Sequence, residues 1–170
     1  MFVPFENMPD QARLWIYQAS RNLSEVEEKA IFQLGQVFLS RWSTHGKPLN
    51  ASLKIYYHRF IIVAVDEQHN PASGCSIDSS VAFIKEMEQK FNTPGQPLSL
   101  FDRTLVAFKQ GDSTHTLSMN EAKKQIIEGG IPEDALTFNN LVYTKAQLET
   151  AWIIPVKKSW LGKYLQERYA

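Results

Sequence analysis

Phe60-Ile-Ile-Val-Ala-Val65 is the longest uninterrupted apolar run in the sequence. It falls far short of the roughly 20 residues a membrane-spanning helix requires. Both of its faces are apolar, which predicts a central strand covered on each side. From Ser52 to Val65 the pattern is β throughout, and it fits one long bulged strand or a tight hairpin turning near His58-Arg59 equally well.

The flanking sequence predicts what packs around this strand. Arg13-Leu-Trp-Ile-Tyr-Gln-Ala19 is aromatic and β-branched, as strands are. Ser24-Glu-Val-Glu27 is a capping box, and Val26, Ala30, Leu34, Phe38 and Trp42 follow at helical spacing as the expected buried face. Ser43-Thr-His-Gly-Lys-Pro48 then ends the helix with a glycine and a proline. A second helix is expected from about Asp78 to Phe91, burying Ile77, Val81, Ile84, Met87 and Phe91. Further on, Thr104–Lys109, Gln110-Gly-Asp112 and Ser113–Leu117 read as a hairpin. Ser118–Glu121 is a second capping box, opening a short helix that Gly129-Gly130 closes. Leu136–Tyr143 reads as a last strand, Thr144 starts a helix broken at Pro155, and Trp160, Leu161, Tyr164 and Leu165 predict an amphipathic tail helix.

This order is not the strict alternation of a doubly wound sheet. It predicts an α+β fold with one mostly antiparallel sheet and helices packed on it. The first six elements match the ferredoxin-like order, with the rest as C-terminal additions. A chain of 170 residues and 19.5 kDa fits a single domain, with Asn92-Thr-Pro-Gly-Gln-Pro97 as the place where two sub-lobes would meet.

Eighteen basic residues balance eighteen acidic ones, so no global field draws nucleic acid or an anionic membrane. Neither is an expected partner, although Lys157, Lys158, Lys163 and Arg168 give the tail a basic face. The single cysteine, Cys75, allows no intramolecular disulfide, and the N-terminus lacks the basic and apolar regions of a signal peptide. A cytoplasmic location is therefore expected. Gly46-Lys47 is not a phosphate loop, because Arg41 stands where its first glycine belongs and Pro48 where its hydroxyl belongs. No zinc, nucleophile-elbow or nucleotide motif is present, so no metal or cofactor is expected.

The most unusual stretch runs from Asp66 to Ser80, leaving a buried strand, crossing a polar loop and entering a helix. Ligands favour such turns, and free amides at a helix start attract anions. Gly74, Ser76, Asp78, Ser79 and Ser80 are the candidate ligand-binding residues there, beside the ordinary reading of a turn and cap. Asn139 and Asn140 join them, since asparagine is depleted in strands and these two interrupt one. Cys75 at the same helix start is a candidate nucleophile, because amides and dipole favour its thiolate. His45, His69 or His58 could serve as its base and Asp66 as the orienting carboxylate.

Ser73-Gly-Cys-Ser-Ile-Asp-Ser-Ser80, Phe138-Asn-Asn-Leu-Val142 and Trp152, Pro155, Ser159-Trp160 together carry a resemblance. From Trp15 to Trp160 the chain resembles a family of short, uncharacterised bacterial proteins loosely labelled "ABC transporter ATPase". That label implies ATP hydrolysis, for which this chain lacks the phosphate loop, and no site residue is carried over. The sequence thus leads to a module binding a small anion or small molecule at Gly74–Ser80. A thiol-dependent transferase or hydrolase using Cys75 and a structural or interaction domain are the alternatives.

Overall fold

The computed structural model describes all 170 residues. Its elements run β1 (Arg13–Gln18), α1 (Glu25–Arg41), β2 (Ser43–Thr44), β3 (Lys47–Pro48), β4 (Asn50–Tyr56), β5 (Phe60–Asp66) and α2 (Gly74–Phe91). Then come β6 (Leu105–Gln110), β7 (Ser113–Ser118), α3 (Met119–Ile127), β8 (Leu136–Phe138), α4 (Lys145–Ala151) and β9 (Ile153–Pro155). A 3₁₀ helix, Trp160–Tyr169, closes the chain. The elements form two compact units: Met1–Phe101 with Tyr143–Ala146, and Asp102–Val142 with Gln147–Ala170. The loop 92–97 lies inside the first unit, and the division falls after Phe101.

The fold is α+β, as expected, but its strands form several antiparallel sheets instead of one. In the first unit the order is β1-β5-β4. The apolar run 60–65 is the central strand and is buried at every residue. This is the first part of a ferredoxin-like arrangement, with β1 and β4 joined by α1 and split by β5. The fourth strand of that arrangement is missing, because β6 pairs with β7 and β8 in the second unit. Two remote segments cover the edges instead. Thr144 bridges Arg13, with the Leu14 amide donating to the Tyr143 carbonyl at 2.8 Å. On the far side Phe2 bridges Ala51 in parallel, and the Val3 amide donates to the Ala51 carbonyl at 2.8 Å. Each edge is thus covered at one end, near Arg13 on β1 and near Ala51 on β4.

Residues 52–65 turn as a hairpin. Tyr57 and His58 both hold φ of 53°, and the Arg59 amide closes the turn on the Tyr56 carbonyl at 3.0 Å. A left-handed residue without glycine costs about 1–2 kcal/mol. The turn is held from behind by Arg59, buried, whose guanidinium donates to the Ala19 carbonyl at 3.0 Å and to Asn22 Oδ1 at 2.7 Å.

Helix α1 starts at the expected capping box but presents a different face. Glu27, Ile31, Gly35 and Leu39 are buried, whereas Val26, Leu34 and Val37 are exposed. Relative to the expected stripe the helix is rotated by one residue, about 100°. Two residues explain this. Gly35 lets the helix approach β4 so closely that a Cβ there would sit 2.8 Å from Leu53 Cδ1. Glu27 is drawn inward by Arg21, whose Nη1 and Nη2 donate to its two oxygens at 2.9 and 2.8 Å. The Ser24 amide donates to the same carboxylate at 2.8 Å. Beyond α1 the chain forms not a plain stop but a β2–β3 hairpin, turning through His45 (φ 48°) and Gly46 (φ 76°).

In the second unit the order is β7-β6-β8-β9. The β6–β7 hairpin turns at Gly111-Asp112, and Ser118 caps α3 through the Glu121 amide at 3.2 Å. Strand β8 ends at Phe138, five residues before the expected end, and the tail is a 3₁₀ helix. Val106, Phe108, Ala122, Ile126, Val156 and Leu161 form the core that joins sheet, α3 and tail.

Replacing Glu27 with alanine removes the carboxylate half of the capping box and strands Arg21, and it is expected to cost about 2–4 kcal/mol in urea unfolding. Arg21 holds the Glu27 carboxyl below its ordinary value, mainly by hydrogen bonding. A depressed folded pKa gives stability above the unfolded value, lost as pH falls through the folded one. Glu27→Gln is therefore expected to flatten the loss of urea midpoint between about pH 5 and pH 2. An equally steep fall in the variant would contradict this.

The Thr44 and Ser52 hydroxyl oxygens are buried without a hydrogen-bond partner in the protein. Thr44→Val and Ser52→Ala remove that desolvation cost and are expected to raise stability by up to about 1 kcal/mol. Thermal midpoints lowered by several degrees in both variants would show that these hydroxyls are satisfied in solution.

Candidate functional site

The carboxyl end of β5 gathers most of the candidates predicted from the sequence. Here Val65 pairs with Arg13 of β1, and Asp66 pairs with Asn50 of β4. The polar loop begins with an Asx turn, in which Asp66 Oδ1 accepts from the Gln68 amide at 3.0 Å. Glu67 Oε1 accepts from the Ala72 amide at 2.9 Å and so holds the approach to α2. Helix α2 starts at Gly74, four residues before the expected Asp78, because Ser73 is its cap: Ser73 Oγ accepts from the Ser76 amide at 3.2 Å.

Two of the serines that make this stretch conspicuous face inward, and Ser79 is exposed. Ser76 and Ser80 are buried. Ser76 Oγ donates to the Ser73 carbonyl at 2.8 Å, Ser79 Oγ to Ser76 at 2.7 Å, and Ser80 Oγ to Ile77 at 2.7 Å. Trp42, at the end of α1, donates its indole N–H to the Ser76 carbonyl at 2.8 Å and to Ser79 Oγ at 3.1 Å. The hydroxyls spend their protons on the helix's own carbonyls, and Trp42 ties α2 to α1. Asp78 is exposed on the outer side of α2. What the helix start offers a ligand is backbone: the Gly74 and Cys75 amides have no acceptor in the protein, and open space lies around Gly74.

Cys75 is exposed in this first turn, and no histidine or carboxylate hydrogen-bonds it. His45 lies at the tip of the β2–β3 hairpin and His69 in the loop, both exposed and without a side-chain bond. His58 is removed from consideration as a base. It sits at the opposite end of β5, a strand that spans roughly 20 Å at 3.3 Å per residue, and its Nδ1 meets Glu28 Oε1 at 2.6 Å.

Asn139 and Asn140 belong to the second unit and have structural work there. Asn139 Oδ1 accepts from the Leu141 amide at 3.3 Å, and Asn140 Oδ1 accepts from the Trp152 indole at 3.0 Å. They end β8 in a turn, so the break in strand pattern at these residues is an end and not a bulge.

Arg13 is the residue that sequence reasoning passed over. Its guanidinium lies 4.8 Å from the Trp15 ring centroid, and Trp15 packs edge-on against Trp42 at 6.5 Å. Its nearest carboxylate oxygen, Glu67 Oε1, is 3.7 Å away and already takes the Ala72 amide. No hydrogen bond occupies the guanidinium. Beside it opens a cleft of about 390 Å³ lined by Gln11, Arg13, Glu67, Tyr143 and Thr144. The sequence signal was available: Arg13 and Trp15 stand two residues apart on a strand and therefore share a face. The end of β5 thus carries an arginine on an aromatic ring beside a cleft, and a loop held by Glu67 leads on to the two open amides of α2.

Iodoacetamide is expected to alkylate Cys75 in the native protein at a rate comparable to that in urea, since the thiol is exposed. A native rate about tenfold lower or less would show that the first turn of α2 is shielded.

No helix is long and apolar enough to cross a membrane, and no group of metal-ligating side chains is assembled. No family model, no curated protein and no solved structure matches the chain.

Proposed function

We propose that this protein binds a small anionic ligand, bearing a carboxylate or phosphate group, at the end of β5. The observation that carries this function is the state of Arg13. Its guanidinium is positioned on Trp15, lines the cleft, and makes no hydrogen bond, its pairing with Glu67 being loose at 3.7 Å. A planar fork of donors in that condition suits a two-oxygen anion. The Gly74 and Cys75 amides at the start of α2 add donors and a favourable dipole. Gln11 and the Tyr143 ring line the cleft and would contact the uncharged part of the ligand.

Amide chemical shifts recorded during titration with inorganic phosphate and with succinate test this. Gly74 and Cys75 are expected to shift saturably, and Arg13→Gln to weaken binding about tenfold or more. Gly74→Ala adds a methyl group in the open space at the helix start and is expected to weaken binding while leaving the fold intact, as judged by circular dichroism. Shifts that are absent, or that Arg13→Gln leaves unchanged, would refute the site.

The exposure of Cys75 favours a second reading, thiol-dependent transfer with His45 or His69 as base. It requires the alkylation rate of Cys75 to depend on one of those imidazoles. Rates unchanged across pH in His45→Ala and His69→Ala would exclude it.

A further inference from the structure

The C-terminal 3₁₀ helix carries a row of side chains that the fold does not use. Ten residues of 3₁₀ helix is long, since such runs usually stop after three or four. With three residues per turn, Trp160, Lys163, Gln166 and Tyr169 eclipse one another along one line, about 6 Å per turn and roughly 18 Å in all. The line faces outward, with Trp160 48% and Tyr169 79% exposed. Docking of the helix is done by other residues. Leu161 is fully buried, and the Arg168 guanidinium donates to the Ile126 carbonyl at 2.6 Å and to the Ile131 carbonyl at 2.7 Å.

Cations are set among these rings. Lys163 Nζ lies 5.6 Å from the Trp160 centroid and 4.9 Å from that of Tyr164, and Lys123 Nζ of α3 lies 5.1 Å from Tyr164. The Trp160 and Tyr164 rings meet edge to face at 6.3 Å. Neither lysine has an ion-pair partner, in contrast to Lys157, which is held by Asp134 at 2.5 Å and Glu133 at 3.6 Å. Glu167, the only acid of the helix, falls on a neighbouring row. Overall neutrality therefore hides a local strip of unneutralised charge interleaved with exposed π-faces.

We infer that this strip binds single-stranded nucleic acid, with bases stacking on Trp160 and Tyr169 and phosphates meeting Lys163 and Lys123. Stacking is tolerant of sequence because every base has a π-face, and the lysines supply the complementary charge along the backbone. A membrane surface fits less well. Lys163 and Gln166 separate the two exposed rings, and the row carries no aliphatic residue to enter the acyl layer.

Anisotropy of fluorescein-labelled dT12 with the full chain, at low and rising salt, tests the inference. Saturable binding is expected, with log K falling against log salt at a slope of about −1.4 for two phosphate contacts. Trp160→Ala is expected to weaken binding at least fivefold, and Lys163→Gln to reduce the slope by about 0.7. Both side chains project from the surface, so circular dichroism should not change. Lys85→Gln, an exposed lysine of α2, controls for loss of charge alone. No binding at tens of micromolar protein, equal binding by Trp160→Ala, or binding to phosphatidylserine vesicles with none to dT12 would each overturn the inference.

Discussion

One ion pair orders the first unit. Glu27 lies on the buried face of α1 and accepts from its own capping residue and from both arms of Arg21. Arg21 in turn reaches the Phe91 carbonyl at the end of α2 and the Gln96 and Pro97 carbonyls of the following loop. The start of α1 is thereby tied to the end of α2. Trp42 makes the reciprocal tie, from the end of α1 to the start of α2. Two antiparallel helices joined at both ends cannot slide along the sheet. The first turn of α2 is accordingly held in one place beside the exit of β5. Breaking a buried, hydrogen-bonded charge pair is costly because the remaining partner stays desolvated, and here that cost also guards the geometry of the cleft.

The local parts of this arrangement were legible in the sequence. Ser24 and Ser118 announced their helices because capping depends on residues three apart. The β6–β7 hairpin was equally readable, since Gly111 supplies the turn. The face of α1 was not. Apolar spacing favoured Val26 and Leu34, but burial was decided by Gly35, which has no side chain to count, and by Glu27, which polarity alone places outside. The turn at Tyr57-His58 was hidden for a related reason. It has no glycine or asparagine, and its left-handed backbone is sustained by the adjoining Arg59, which reaches to Ala19 and Asn22.

The candidate site divides in the same way. Its place, the turn from β5 into α2, was visible in the change from apolar run to polar loop to cap. Its chemistry was not, because a serine at a helix start reads alike when it faces a ligand and when it bonds back to its own helix. Ser76, Ser79 and Ser80 do the latter. Arg13 lies more than fifty residues away in sequence and comes to the site only through strand pairing, a non-local contact that no spacing rule encodes.

The edge of β1 has a consequence for how the protein is made. Its covering segment, Tyr143–Thr144, leaves the ribosome about forty residues after Phe101, a delay of roughly 2–8 s at ordinary elongation rates. For that interval the nascent first unit holds its central strand while one flank lacks its final partner. Completion of the earlier part of the chain thus waits on the later part. A ribosome stalled between these two points would hold a half-finished sheet with an adhesive border, the kind of surface that chaperones exist to shield.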